Sequence, residues 1–527
     1  MLKQRSTSFG QYVAYLTLNC LGALLPLISY WVQNLGQVRP SVVVQPLLII
    51  LAFALVFFTL FSVILRSFQK ATLILFLFYF LFFSYGHIAE LTSRIHLWGW
   101  SPHPILIFIL YILGFLAGML LIFRIKMISP SLILYLQVVI CILFIYNAGR
   151  IAVFNMLGNE EQPSADPSIA LASNVAEEQP DVYLIILDAY ARDDILLSDY
   201  GFDNSGFLKA LESRGFYIPG CVLSNYSHTH DAIPTVLNMD YLDQLGIPRR
   251  NIGQLSLKQV SLIQKNKVRK VFADYGYQFV STRGYGPFND IADADIYLNY
   301  YSTQGQTDEL NEQIFLYLFL DTTLVNFQTR LLQANESDDP VQMVPETSGE
   351  TDTASLKYQE SEFWYNQTNY VFDALEELPE KTGAYLVYAH INSPHGPYVF
   401  NQDGSFRFAP DLTDEKTLYT DTLVYLNRRV LELVDALIQK SSTPPIIILQ
   451  ADHGTHLVPE GADKHKILSA YYLPGELSIQ PYATITPVNN FRLILHNYFD
   501  PAVNLLPDVL FVKKGNKYEM LDAACGQ

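Results

Sequence analysis

Before residue 150 the chain is a succession of apolar runs, approximately 13–32, 42–65, 71–88, 105–123 and 128–148. Most approach the ~20 residues that an α-helix needs to cross a bilayer. Buried helices of a soluble protein would carry polar faces, and these runs have almost none. A cleaved leader does not fit either, because four more runs follow the first and no small-residue cleavage site separates it from them. The pattern predicts five membrane-spanning helices in residues 1–150.

Charge gives the expected direction of insertion. Residues 1–150 hold nine Lys and Arg and a single acid, Glu90, leaving 25 basic and 50 acidic residues of the totals of 34 and 51. The formal charge is therefore +8 in the first part and −25 in the second, for the net −17. Lys3, Arg5, Arg66, Lys70, Arg124 and Lys126 fall on one side of the runs, and Arg39, Arg94 and Arg150 on the other. Basic loops stay in the cytoplasm, so the chain is expected in the cell (inner or plasma) membrane with its N-terminus cytoplasmic and everything after Arg150 outside. Trp98 and Trp100, between the third and fourth runs, suit an interfacial anchor. A domain of charge −25 repels nucleic acid, which excludes that partner. An anionic substrate would need local positive charge, for which a metal is the candidate. Cys20 and Cys141 lie inside runs, whereas Cys221 and Cys525 lie outside and could form one disulfide. No CxxC pair is present, so a zinc finger is excluded.

After the runs, residues 151–179 read as an acidic Pro/Ser/Ala linker without a period. The pattern changes at Pro180. VYLIIL (182–187), AYLVYA (384–389) and IIILQ (446–450) are continuous apolar runs bounded by polar residues, as in strands buried on both faces. Between them lie amphipathic stretches such as 414–438. Alternation of this kind predicts an α/β domain over 180–515 with a mostly parallel central sheet flanked by helices, followed by a short tail, 516–527. Residues 333–355 are polar, acidic and aperiodic, and read as a surface loop. IFLYLFLDTTLVNF (314–327) is apolar but broken by Asp321, which suits a core or interfacial helix better than a sixth span.

In open α/β sheets, function collects beyond the carboxyl ends of the strands. The first strand here ends in Asp188, the second in His390 and the third in Asp452 and His453. Each has an ordinary structural explanation: Asp188 as a helix cap, His390 as a satisfied core histidine, and Asp452 in a turn whose Gly454 supplies positive φ. Three strands bringing metal-type ligands to one edge make a shared site the better explanation.

The ordered motifs PDVYLIILDAYAR, a Ser/Thr-rich turn, AHINSPHGP and ADHG resemble the alkaline phosphatase superfamily. Within it they are most similar to the sulfatase-like membrane enzymes, including lipoteichoic acid synthases and phosphoethanolamine transferases. The similarity covers about residues 180–510, and the membrane part matches in layout only. The resemblance implies a divalent metal (Zn, Mn or Mg) held by Asp188, Thr229, Asp452 and His453, with Thr229 as nucleophile. Asp188 stands where the related transferases have Glu. Thr229 lies in SNYSHTHDAIPTVLNM, just before a short helix expected over 231–239, and Ser227 is its competitor. His395 and His465 match histidines placed near substrate in those transferases, and His390 or His395 is expected to assist the leaving group. His228, His230 and His456 flank the site, and Lys464 and Lys466 add charge nearby. The CVLSN stretch at Cys221 lacks the Pro and Arg of Cys-x-Pro-x-Arg, which argues against formylglycine chemistry. The expected function is transfer or hydrolysis of a phosphate or sulfate ester on a cell-envelope substrate, with a membrane lipid as donor or acceptor. The alternatives are a hydrolase of soluble esters and a non-catalytic lipid sensor or scaffold.

Overall fold

The computed structural model describes residues 9–35, 40–93, 104–159, 179–253, 255–286, 288–303, 315–316, 319–320, 322–325, 327, 353–409, 414–459, 461–514 and 517–525. They divide into two compact units, one of residues 1–155 with 308–352 and one of residues 156–307 with 353–527.

The first unit contains five helices long and apolar enough to span a bilayer. They are α1 (Phe9–Gln33), α2 (Pro40–Leu65), α3 (Phe68–Ser93), α4 (Pro104–Arg124) and α5 (Pro130–Asn159). Ala23, Ala54, Phe58, Ala71 and Leu75 form a core between α1, α2 and α3. Small residues permit close approach, as membrane helix interfaces require. A Cβ on Gly22 would lie 2.6 Å from the Phe76 ring. Polar pairs add directional ties: Asn19 Nδ2 donates to Thr72 Oγ1 at 2.8 Å, and Asn147 Nδ2 to Ser29 Oγ at 2.9 Å. Helix α5 runs to Asn159, past the expected end of its apolar run and into the stretch read as linker. The segment IAVFNML (151–157) is itself largely apolar, and the helix continues through Gly149 into it. The remainder of the linker, 160–178, lies outside the described residues.

The second unit begins with β1 (Val182–Leu187), then α6 (Asp193–Tyr200), α7 (Ser205–Glu212), α8 (Thr229–Asn238), α9 (Leu257–Gln264), α10 (Lys267–Asp274), β2 (Gln278–Thr282), β3 (Ile296–Leu298) and α11 (Tyr300–Thr303). After the insertion come α12 (Thr353–Glu377), β4 (Tyr385–Ile391), α13 (Glu415–Lys440), β5 (Ile446–Gln450), β6 (Ser469–Tyr472), α14 (Asn490–Tyr498), β7 (Val509–Lys514) and β8 (Lys517–Asp522). Six strands form one sheet in the order β3-β2-β4-β1-β5-β6. All its pairings are parallel except β5 with β6.

Strand β1 shows why its sequence is apolar throughout. Successive side chains point to opposite faces. Tyr183, Ile185 and Leu187 pack with Leu426, Val430 and Leu433 of α13 on one face. Val182, Leu184 and Ile186 pack with Ile233 and Val236 of α8 and Phe491 and Ile494 of α14 on the other. Helices thus cover both faces, and no residue of β1 meets water.

Two further expectations need correction. Residues 517–522, expected in a tail, form β8 and pair antiparallel with β7. The missed signal was Gly515-Asn516 between a VLFVKK run and an alternating KYEML run, a hairpin pattern. The loop expected over 333–355 ends by Thr353, where α12 begins, and its remainder lies outside the described residues.

Candidate active site

Three neighbouring parallel strands set the stage. Registers Ile186↔His390 and Ile186↔Gln450 bring the carboxyl ends of β4, β1 and β5 level. Asp188 leaves β1, His390 closes β4, and Asp452 and His453 follow β5, so all four meet at one edge. Ala189 then turns the chain through a left-handed φ of 61°. That conformation costs of order 1–3 kcal/mol in a non-glycine residue. It lets the Ala189 N–H donate to Asp452 Oδ1 at 3.2 Å, while the Asp188 N–H donates to Ile391 O at 3.0 Å.

The side chains converge on His453. Its Nδ1 lies 2.8 Å from the Gly454 carbonyl, which can only accept, so Nδ1 carries the proton and the Nε2 lone pair points into the site. Around that Nε2 stand Thr229 Oγ1 at 3.2 Å, Asp452 Oδ2 at 3.6 Å and Asp188 Oδ1 at 3.7 Å. Thr229 is the first residue of α8, so the helix begins two residues earlier than expected, with His228 preceding it. No side chain caps this helix at His228. Ser227 Oγ instead sits 3.2 Å from His228 Nδ1, which leaves Thr229 as the hydroxyl facing His453.

Both carboxylates and both histidines are buried. Asp188 Oδ1 and Asp452 Oδ2 have no hydrogen-bond partner. Leaving a buried charged oxygen unsatisfied is among the costlier defects a fold can carry. Two of them facing a lone pair and a hydroxyl are donors of the kind a divalent cation takes, and these residues fit one. Ligand atoms of Asp188, His390 and Asp452 also lie within 4.8 Å of one another.

His390 is placed differently from its neighbour. Its Nε2 is 3.2 Å from Asp188 Oδ2 and its Nδ1 is 3.1 Å from the Tyr388 hydroxyl. Its backbone N–H donates to Thr282 Oγ1 at 3.0 Å. Burial alone would raise the Asp188 pKa, but His395, His390 and His453 outweigh it and hold the carboxyl at about 2.

His395 reaches solvent, its backbone N–H donates to Asp188 O at 3.1 Å, and its Nδ1 is 2.9 Å from Gly396 O. Desolvation opposes the charged imidazole, yet Asp188, the Gly396 carbonyl, Asp452 and Glu415 together raise its pKa. His456 lies beside it with ring centres 5.3 Å apart, and its Nε2 is 2.7 Å from Glu415 Oε1. His465 is buried with Nδ1 on the Ser224 carbonyl at 2.7 Å, so it braces the loop leading to Thr229. Lys466 pairs with Asp463 at 2.7 Å and Asp194 at 3.4 Å. Burial pushes the His230 pKa down to about 4, and burial pushes Asp231 up to about 7 against hydrogen bonds from Gly253 and Gln259.

Gly454 serves a purpose other than the expected positive φ. A Cβ there would lie 2.7 Å from Lys464 O and 3.0 Å from Lys466 O, and its φ is not in the left-handed region. Tyr388, Ser224 and Glu415 were missed from sequence. Tyr388 stands two residues before His390 on the same face of β4, so strand periodicity carried that signal. Ser224 donates to Asp452 O at 2.5 Å, and Glu415 begins α13, both placed by tertiary contacts alone.

A parallel α/β sheet with buried carboxylates, imidazoles and one hydroxyl gathered at its carboxyl edge defines a protein built for chemistry at that edge. The chain belongs to the sulfatase family, whose description is matched by residues 180–481. No curated protein matches the chain. Among solved structures, the chain is similar to the zinc complex of the periplasmic domain of EptC from Escherichia coli, at 14% identity and TM-score 0.38, covering 67% of this chain and 96% of that one. The integral membrane lipooligosaccharide phosphoethanolamine transferase A from Neisseria meningitidis matches at 10% identity and TM-score 0.38, covering 93% and 95%. The lipoteichoic acid synthase LtaP from Listeria monocytogenes matches at 12% identity and TM-score 0.35, covering 71% and 90%.

Proposed function

We propose that this protein is a membrane-attached, metal-dependent transferase or hydrolase of phosphate esters in the cell envelope, with Thr229 as its nucleophile. One observation carries the reading: Thr229 Oγ1 lies 3.2 Å from His453 Nε2, next to two buried carboxylate oxygens that lack partners. Asp188, Thr229, Asp452 and His453 would hold the ion. A divalent cation bound there lowers the pKa of the Thr229 hydroxyl and neutralises charge developing on the ester oxygens.

The protein's own groups do the rest. The Thr229 hydroxyl gives up its proton to solvent, its Oγ attacks phosphorus, and the ester oxygen leaves with the bonding electron pair. His395, biased toward its charged form and open to solvent, donates a proton to that oxygen. The uncapped N-terminus of α8 offers backbone N–H groups to the remaining phosphoryl oxygens. An acceptor hydroxyl, from water or from an envelope lipid or glycan, then attacks phosphorus and gives its proton to His395, while Thr229 Oγ leaves with the bonding electron pair. His390, with both ring nitrogens engaged and its side chain buried, acts as the orienting partner of Asp188 rather than as the leaving-group acid expected from sequence. His465 Nδ1, on the Ser224 carbonyl, supports the loop leading to Thr229.

Five helices exceed what a tether requires, which favours a lipid-borne donor or acceptor. The excess of basic residues in the loops on the N-terminal side supports a cytoplasmic N-terminus, with the α/β unit outside.

Purified full-length protein, loaded with Zn, Mn or Mg and assayed with bis(4-nitrophenyl) phosphate and 4-nitrophenyl sulfate, tests the reading. Thr229→Ala should lower turnover by roughly 10³-fold or more. Intact mass should reveal an adduct on the native protein that is absent from the variant. Undiminished turnover of Thr229→Ala would refute the covalent assignment, and preference for the sulfate would move the substrate class.

A further inference from the structure

The apolar segment within 308–352 interrupts the α/β unit in sequence yet groups with the helical bundle. Its described residues are fitted into that bundle. Phe315 and Phe319 are buried, with 4% and 5% exposure, against Leu27 of α1 and Val42 and Val43 of α2. Tyr30 holds both rings, with centres 5.1 and 5.6 Å away. Phe327 stacks on Phe108 of α4 at 4.0 Å and 16°. Leu324 and Phe327 join a cluster with Tyr85, Ala89 and Ile107.

Backbone groups make the fit specific. The Gly86 N–H of α3 donates to Thr322 O at 3.1 Å, and the Leu324 N–H donates to Phe82 O at 2.7 Å. Phe82 and Gly86 are one helical turn apart, and groups inside a helix ordinarily bond only within it. At Gly86, which has no side chain, the second backbone comes within hydrogen-bonding distance. The contacted positions are the last turns of α1 and α3 and the first turns of α2 and α4. In a helix bundle that crosses back and forth these are all the same end, and it is the end at which α5 finishes before the chain enters the α/β unit.

We infer that segment 315–327 is a second attachment of the α/β unit to the membrane bundle, docked through Phe315, Phe319 and Phe327 onto the end from which the chain emerges. The unit is therefore held by α5 and, independently, by an insertion whose two ends both lie in the α/β unit. This attachment does not depend on the proposed reaction.

The test uses the full-length protein in native membranes, with a specific protease site placed between residues 163 and 175. After cleavage and a high-salt wash, the fragment carrying residues 180–527 should remain in the membrane fraction. The same fragment bearing Phe315→Ser, Phe319→Ser and Phe327→Ser should be released to the soluble fraction. Resistance of the released fragment to limited proteolysis, equal to that of the unsubstituted protein, would show that the released unit is folded. A second variant, with residues 308–352 replaced by a Gly/Ser loop, tests the same point without exposing aromatic side chains. Release of the unsubstituted fragment by the single cut would overturn the inference, as would retention of both altered fragments.

Discussion

At Asp188, desolvation and electrostatics pull in opposite directions, and electrostatics prevails. Three histidines around a buried carboxylate hold its pKa at about 2, below the 3.8 of an unperturbed Asp. The folded state therefore favours the ionised form, and the stability this supplies is present above about pH 4 and is lost as pH falls toward 2. Thermal melts across that window should show a steeper decline in the native protein than in Asp188→Asn, which cannot titrate there. Asp188→Asn should also lose bound metal, read by elemental analysis, because one of the two unpartnered carboxylate oxygens is replaced or neutralised. Gly454 makes a contrasting case in which space decides. Its prospective Cβ would meet backbone carbonyls of 464 and 466, which have no rotamer to move into. Gly454→Ala should destabilise by about 1–3 kcal/mol, visible as a lowered Tm.

Among the elements, the C-terminal hairpin of β7 and β8 has the least obvious influence on the site. Cys525 beyond it is bonded to Cys221, eight residues before Thr229. Phe511 of β7 donates its N–H to Asn225 O at 2.9 Å and stacks flat on Tyr226, with ring centres 4.9 Å apart. Asn225 Nδ2 in turn donates to Val509 O at 2.7 Å. The loop that presents Thr229 is thus supported from the far end of the chain. Phe511→Ala should cost about 3–5 kcal/mol of stability by denaturant titration. If the hairpin positions Thr229 as well as stabilising the fold, turnover should fall by more than the folded fraction does.

For the whole molecule, the proposed cation and the membrane are the two outside partners to test. An ion that binds only the folded site stabilises it by about 2.7 kcal/mol at a hundredfold excess over its Kd. Chelation should therefore lower the Tm and abolish ester hydrolysis, and adding back one of Zn, Mn or Mg should restore both. A Tm unmoved by chelation and by added metal would count against the site and favour a sensor or scaffold. A soluble form of the α/β unit should behave better as residues 179–303 joined to 353–525 than as residues 179–525. The longer version exposes Phe315, Phe319 and Phe327, which the bundle otherwise buries. Size-exclusion profiles of the two would check this.

Much of this architecture was already legible as one-dimensional pattern. Apolar runs of bilayer length mark five helices, because lipid tolerates no polar face and the runs needed no other information. Strands buried on both faces mark β1, β4 and β5, since a parallel sheet under two helical layers admits no alternation. Residues such as Asp188 and Asp452 could be picked out because a polar residue at the end of a buried strand has to be explained. Tertiary structure alone decided the rest. It set the Thr229 hydroxyl beside His453, 224 residues away, and His390 against Asp188. It also joined Cys221 to Cys525 and carried 315–327 into the helical bundle. These are meetings between segments far apart in the chain, set by sheet register and packing, and no local periodicity encodes which two partners will meet.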